Sequence, residues 1–203
     1  IGVDAGPMVD GGAGPRPYVR QLSLGMEFSC ALLWSGVVRC WGGNTWGQLG
    51  DGTTTEALTP TTVGVITDAE QLSVNGGGAA YACAVRSDRS VWCWGSNGLG
   101  MLGFPDISAM PMETTPVADP SLPPNVVQVA SGWLTACARH SDDSVRCWGY
   151  NGEGELGDGT TMPRSGPVLS GVRRALGITA GYDIGCAWLS GYAQCWGSNM
   201  RGI

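Results

Sequence analysis

The chain has 203 residues, of which 34 are glycine and only 14% are charged, and its formal net charge at pH 7 is −6. All 11 basic residues are arginines, and they are scattered along the chain. Because a phosphate-binding surface needs a concentrated basic stripe, this balance argues against nucleic-acid binding.

The first segment, residues 1–17, is rich in Gly, Ala, Pro and Asp and shows no apolar periodicity. Such a segment cannot bury a core, so we predict a flexible linker in front of a domain that spans residues 18–203. The sequence contains no initiator methionine, signal peptide or apolar run of membrane-spanning length, which favours a mature product or a fragment.

Four pairs of cysteines follow, and each second cysteine begins the phrase Cys-Trp-Gly-x-Asn. Between the paired cysteines lies a short segment with a strand, turn and strand pattern. The pairs are Cys30 with Cys40, Cys83 with Cys93, Cys137 with Cys147, and Cys186 with Cys195. The spacing identifies an internal repeat.

Turn lengths decide whether the paired cysteines face each other. Three-residue turns around Ser35, Asp88 and Asp142 place them directly opposite, and in the shorter fourth repeat a two-residue turn at Ser190–Gly191 does the same. The cysteines then occupy non-hydrogen-bonded sites, where facing Cα atoms lie about 4.5 Å apart and a disulfide fits. We therefore predict four cross-strand disulfides, with buried free thiols as the alternative. A zinc site is disfavoured, because metal-binding cysteines are usually closer in sequence.

Paired cysteines in every repeat are typical of an oxidising compartment, which favours an extracellular, periplasmic or cell-surface location.

Each full repeat predicts four strands, which in the third repeat begin at Asn125, Thr135, Ser144 and Ser165. One alanine and one tryptophan follow the cysteines of each pair and face away from the sulfurs: Ala31, Ala84, Ala138 and Ala187, and Trp41, Trp94, Trp148 and Trp196. Both faces of each hairpin are therefore apolar, as a sheet packed between two neighbours requires. The predicted fold class is an all-β propeller of four-stranded antiparallel blades.

The phrase Trp-Gly-x-Asn-x-x-Gly-Gln-Leu-Gly-Asp-Gly-Thr, which begins at Trp41 and nearly recurs from Trp148, closely resembles the regulator of chromosome condensation repeat. A glycine five residues before each first cysteine matches that family too, at Gly25, Gly78, Gly132 and Gly181. The resemblance covers about residues 18–203 and implies a seven-bladed propeller with about fifty residues per repeat. This chain holds three full repeats and part of a fourth. We expect further chain or another subunit to supply the remaining blades, because a partial ring exposes strand edges.

The chain also departs from the family pattern. A histidine that the family commonly carries is replaced by Phe28, Tyr81, Thr135 and Ile184. The founding eukaryotic member is a nucleotide-exchange factor for a small nuclear GTPase and binds chromatin. Acidic charge and paired cysteines argue against that role here.

Catalytic and metal-binding patterns are weak. His140, with Asp142 and Asp143 nearby, is interpreted as an exposed hairpin residue rather than a general base. Asp51 and Asp158 stand in Gly-Asp-Gly-Thr turns that lack the several oxygen ligands of a calcium loop. We therefore predict no enzymatic activity, no cofactor and no metal.

Loop aromatics are the strongest candidates for contact with a partner. A secreted bacterial member of the family, the beta-lactamase inhibitory propeller, is similar in that it presents aromatic residues from corresponding loops to an enzyme. The resemblance implies partner-binding roles for Trp46, Trp133, Tyr150 and Tyr182, with packing between blades as the alternative. We therefore expect a secreted or surface-anchored recognition module that binds a protein, with enzyme inhibition as one form. The second hypothesis is a structural component that self-assembles into an extracellular envelope layer or fibre.

Overall fold

A computed structural model describes residues 18–75, 77–104, 111–118 and 120–199. The predicted linker, residues 1–17, lies outside this part of the chain. The described residues form fifteen strands and contain no helix that is long and apolar enough to cross a membrane.

The strands form four antiparallel sheets in chain order, and each sheet is one blade. The first blade contains β1 (Val19–Leu24), β2 (Phe28–Leu33), β3 (Val38–Gly42) and β4 (Ala57–Thr62). The second contains β5 (Ala69–Val74), β6 (Tyr81–Arg86), β7 (Val91–Ser96) and β8 (Met112–Ala118). The third contains β9 (Val126–Ser131), β10 (Thr135–His140), β11 (Val145–Gly149) and β12 (Arg164–Leu169). The fourth has three described strands, β13 (Gly177–Ala180), β14 (Ile184–Trp188) and β15 (Ala193–Gly197). The all-β fold and the antiparallel blades are as predicted.

The hairpin register is also as predicted. The two cysteines of each pair face each other across the second and third strands of their blade. All four form disulfides, with Cα separations of 4.0 to 4.1 Å. In the fourth blade the backbone N–H of Leu189 donates to Tyr192 O at 2.8 Å, so the missing residue is absorbed by the turn.

Blades pack by placing the disulfide of one against the tryptophan and alanine of the next. The Cys30–Cys40 pair shares a core with Trp94, and the Cys83–Cys93 pair shares one with Trp148. Each tryptophan also reaches back to the preceding blade through its indole N–H. Trp94 donates to Gln48 O at 2.9 Å, Trp148 to Met101 O at 2.8 Å and Trp196 to Glu155 O at 2.8 Å.

Glutamines link the first strands of successive blades. The Gln21 side chain accepts a hydrogen bond from Leu72 N at 3.0 Å and donates to Leu72 O at 2.6 Å. Gln71 bonds Val129 in the same way, as does Gln128 with Ile178. Each side chain thus pairs with the neighbouring strand as a backbone amide would.

The antiparallel order divides the molecule into two ends. Connections between first and second strands, and between third and fourth strands, lie at one end, which we call the loop end. Hairpin turns between second and third strands lie at the opposite turn end, together with the connections between blades. The loops that carry the predicted aromatic contacts therefore share one end of the blades.

Candidate functional site

All four predicted contact residues lie at the loop end. Trp46 is 46% exposed and Tyr182 is 59% exposed, whereas Trp133 and Tyr150 are half-buried. Each blade that carries one of these loops is packed against a neighbouring blade on at least one face, which anchors the loops.

Trp133 and Tyr182 form a stacked pair. Their ring centroids are 4.0 Å apart and their planes differ by 16°. The backbone N–H of Trp133 donates to Gly181 O at 3.1 Å, which ties together the corresponding loops of the third and fourth blades. The pair borders a cleft of about 150 Å³. Stacking of this kind holds two large rings in a defined orientation.

The stack rests partly on Gly77 of the second blade. A Cβ atom at Gly77 would collide with the Trp133 ring, so only glycine permits this close approach. Gly77 also borders a second cleft of about 180 Å³ together with Trp46, Met26 and Glu27. Two clefts with aromatic walls therefore lie side by side, separated by the Gly77 loop.

Tyr150 stands apart from this arrangement. A Cβ at Gly152 would collide with the Tyr150 phenol, which shows that the ring folds back over its own loop. The backbone of Tyr150 is bonded to Leu134 O at 2.9 Å and to the Thr135 hydroxyl at 3.1 Å. The structure thus brings Trp133 and Tyr182 into contact, places Trp46 beside the neighbouring cleft, and leaves Tyr150 packed on its own loop.

One glycine of the repeat pattern was aligned wrongly. Gly25, Gly132 and Gly181 each donate a backbone hydrogen bond that closes the loop between the first and second strands, but in the second blade the equivalent donor is Asn75, not Gly78. The loop at 75–80 is longer than its counterpart at 25–27, and counting back from the cysteine misses this insertion.

Asn75 and Tyr81 hold the Trp133 loop in place, which the sequence alone did not indicate. The Asn75 amide donates to Trp133 O at 3.1 Å. The buried Tyr81 hydroxyl lies 3.0 Å from Gly132 O and 2.8 Å from Thr135 O, the carbonyls on either side of the Trp133 turn. Burial raises the pKa of Tyr81, so it remains a neutral donor. Together these side chains hold the Trp133 loop from the second blade.

The Gly-Asp-Gly-Thr turns are organised by hydrogen bonds within the chain. An Asp51 carboxylate oxygen accepts from the backbone N–H and the hydroxyl of Thr53, both at 2.9 Å, and Asp158 does the same for Thr160. Buried Asn44 closes the first turn by donating to Thr53 O and Thr55 O. Within the described residues no three His, Cys, Asp or Glu side chains are grouped to hold a metal ion.

The interpretation of His140 as an exposed hairpin residue is wrong. His140 is only 4% exposed and its Nδ1 lies 3.2 Å from Pro124 O, because the connection between blades covers it. Burial lowers the pKa of this imidazole. Asp142, in contrast, is exposed and caps the turn by accepting from Ser144 N and Oγ. His140 lies at the turn end, away from both clefts.

Charge is unevenly divided between the two ends, although the arginines are scattered along the sequence. The described acidic residues at the loop end are Glu27, Asp51, Glu56, Glu113, Glu153, Glu155, Asp158 and Asp183, and the described arginine there is Arg164. The turn end carries Arg20, Arg39, Arg86, Arg89, Arg139, Arg146, Arg173 and Arg174, together with Asp68, Glu70, Asp88, Asp142 and Asp143. Asp68, Glu70 and Asp143 pair with arginines there, at 2.6 Å for Arg86, 2.9 Å for Arg89 and 3.3 Å for Arg139. The end that carries the stacked pair of Trp133 and Tyr182 is therefore the more acidic one.

The stacked blades and their repeated loops define a repeat-built β-propeller module. Residues 126–155 match the family model of the regulator of chromosome condensation (RCC1) repeat. The resemblance seen in the sequence is thus confirmed, with residues 126–155 matching the repeat itself.

Relatives with this repeat differ widely in their descriptions. The Ultraviolet-B receptor UVR8 of Arabidopsis thaliana is 26% identical over 152 residues, which cover 74% of this chain and 33% of that protein. The human probable E3 ubiquitin-protein ligase HERC6 is 30% identical over 165 residues, covering 79% of this chain and 16% of that protein. The chain therefore spans a third or less of the length of these relatives.

Solved structures show the same fold. Yeast RCC1 (Prp20), in a complex with Kap60, superposes with a TM-score of 0.78 at 22% identity and covers 93% of this chain and 45% of its own. Human WBSCR16 has a TM-score of 0.78 at 22% identity, with 91% and 48% covered. The chain corresponds to less than half of either propeller.

Proposed function

We propose that this chain is a secreted or surface-anchored, non-enzymatic recognition module that binds a protein partner through its loop end, with enzyme inhibition as one form of that role. The observation that carries the proposal is the stacked pair of Trp133 and Tyr182 beside an open cleft. Rigid aromatic anchors in concave surroundings are typical of interface hot spots.

Two further observations support the proposal. Disulfides in every blade suit an oxidising compartment. A yeast protein of the same fold, Prp20p, is described by its binding to Gsp1p and histones, which makes protein binding a reasonable role for such blades.

Affinity capture tests the proposal. The oxidised protein is immobilised and exposed to envelope and culture-supernatant fractions, in parallel with a Trp133→Ala, Tyr182→Ala variant. A Trp34→Ala, Tyr192→Ala variant is the matched control, because it removes two exposed aromatics from the turn end. We expect one soluble protein to be captured by the parent and by the control and to be lost with the loop-end variant.

Other results would redirect the interpretation. Equal capture by all three proteins would contradict a loop-end site. Recovery mainly of the chain itself, or of envelope polymer, would favour the structural role instead.

A further inference from the structure

Glu155 occupies a position that the first blade fills with glutamine. Gln48 is 0% exposed and Glu155 is 2% exposed. One side-chain oxygen of each accepts a backbone hydrogen bond from two residues earlier, Trp46 N at 2.8 Å and Glu153 N at 2.9 Å. The carbonyl of each accepts the indole N–H of the next blade. The two side chains are thus held in the same way, but only Glu155 is acidic.

The second carboxylate oxygen of Glu155 has no partner. Its Oε1 is buried and makes no hydrogen bond within the described part of the chain, and the same is true of the matching Gln48 Nε2 in the first blade. A buried polar atom in this condition is costly, and more so when it belongs to an ionisable group. Because the unpaired atom is an amide nitrogen at Gln48 and a carboxylate oxygen at Glu155, the position in the third blade needs a hydrogen-bond donor, whereas that in the first blade needs an acceptor.

A small cavity adjoins Glu155. It measures about 10 Å³ between the third and fourth blades, and its other walls are formed by Thr135, Cys137, Ala180, Gly181, Tyr182, Ile184 and Gly185. That space holds a single atom-sized group such as a water or an ammonium. Tyr182, which also belongs to the stacked pair, contributes to the wall, so the cavity adjoins the proposed contact surface.

The surroundings favour a cation in this cavity. Burial, and then the negative charge of Glu153, raise the pKa of Asp183 in the same loop region. Arg164 is the described arginine of the loop end, and it already faces Asp158 at 3.7 Å. The carboxyl groups of Glu153 and Asp183 therefore influence each other, and Glu155 lies two residues from Glu153, with no described arginine paired to any of the three.

We propose that Glu155 and Tyr182 form a slot for one lysine side chain of the protein partner. The ammonium enters the cavity and donates to Glu155 Oε1, while the methylene stem lies along the Tyr182 ring. Lysine fits better than arginine because an ammonium is compact, whereas a guanidinium is a planar fork that needs more room. This inference rests on the proposed function, since it names the chemistry of the partner at the loop end.

Titration with single-residue analogues tests the slot without the partner. The probes are Nα-acetyl-lysine N-methylamide and its arginine and norleucine counterparts, followed by NMR shifts of the Tyr182 ring and the Gly185 amide. For the lysine analogue we expect saturable shifts with a dissociation constant on the order of 1 mM. Norleucine has the same stem length without the charge, so its shifts should be much weaker.

Glu155→Gln is the decisive variant. Because Gln48 shows that glutamine fits this environment, the variant should fold normally while losing the charge. We expect affinity for the lysine analogue to fall by roughly ten-fold or more. Glu56→Gln, which removes an exposed loop-end charge from the first blade, should leave the affinity unchanged. Equal shifts with norleucine, no shifts with lysine, or no effect of Glu155→Gln would overturn the slot.

Capture with Glu155→Gln separates this inference from the proposed function. If the Trp133→Ala, Tyr182→Ala variant loses the partner but Glu155→Gln retains it fully, loop-end recognition stands and the lysine slot is wrong. If the lysine analogue binds as expected but the parent captures no protein, the slot stands as a site for the lysine side chain and the recognition role falls.

Discussion

The interfaces between blades and the loop end both use aromatic side chains, but in opposite ways. Trp94 and Trp148 are fully buried, and each indole N–H has an acceptor on the preceding blade. Trp46 and Tyr182 are exposed. Neither the indole N–H of Trp46 nor the hydroxyl of Tyr182 has a hydrogen-bond partner within the described residues. Residue type alone therefore does not decide whether an aromatic side chain packs between blades or stays exposed at the loop end. In these four residues the difference is whether the polar edge of the ring reaches an acceptor on the preceding blade.

The largest expected effect tests this contrast directly. Trp148→Ala should lower the free energy of unfolding by about 3–5 kcal/mol, because it empties a packed site between the second and third blades. Trp133→Ala should cost less than about 1 kcal/mol while removing partner capture. Urea denaturation of both variants, with disulfides intact, measures the difference. Similar losses for the two would make Trp133 a structural residue.

Two of the disulfides compare a blade face that a neighbouring blade covers with one that is exposed. Closing a ten-residue loop contributes about 3 kcal/mol by chain entropy. A Cys83→Ala, Cys93→Ala variant should lose that amount and more, because this pair is buried against the third blade and leaves a cavity. The matching Cys186→Ala, Cys195→Ala variant should lose less, since Cys195 is exposed. Denaturant unfolding of both double variants provides the measurement, and a larger loss from the second pair would refute the packing argument.

The buried Tyr81 side chain is hydrogen-bonded to the Trp133 loop at the loop end. Tyr81→Phe should cost about 1 kcal/mol, because the carbonyls of Gly132 and Thr135 lose their common donor. The Trp133 loop should also become less ordered and capture the partner more weakly. Tyr182→Phe is the matched control, and it should leave stability unchanged because its hydroxyl is exposed. If both tyrosine variants unfold at the same denaturant concentration as the parent, Tyr81 does not hold the loop.

The smallest expected effect concerns pH at the turn end. Burial, reinforced by the charge of Arg146, lowers the pKa of His140, against the opposing influence of the Pro124 carbonyl and Asp142. The unfolded chain, with a histidine pKa near 6.5, therefore binds this proton more readily than the folded one. Burying His140 as a neutral group therefore contributes its full share to the stability of the fold above about pH 6.5. That contribution is lost as the pH falls from there through the lower pKa of the folded state.

His140→Gln should make the free energy of unfolding less dependent on pH. We expect the stability difference between parent and variant to narrow from pH 7.5 to pH 5.5, as measured by denaturant unfolding at both values. Comparing the parent with the variant at each pH cancels the contribution of the carboxylates, because they titrate in both proteins. A difference that stays constant with pH would show that the imidazole is not buried as a neutral group.

Local features of this protein were predictable, and non-local ones were not. The disulfides follow from hairpin register over ten residues or fewer, which turn length alone determines. Gly78 was misassigned because an insertion in the second blade shifts the loop without changing the downstream hairpin. His140 was misread because its cover comes from Pro124, 16 residues earlier. The periodicity of the sequence does not predict which connection between blades covers which hairpin turn.

The sequence by itself therefore determined the strands, the hairpin turns, the cysteine pairing and the apolar character of both blade faces, since these depend on neighbours along the chain. Only the tertiary structure decided that Trp133 stacks on Tyr182, that Glu155 lines a cavity beside Tyr182, and that the described arginines other than Arg164 gather at the turn end. The physical reason is that packing successive antiparallel blades brings together residues about one repeat apart. Whether those residues meet depends on loop geometry rather than on local periodicity.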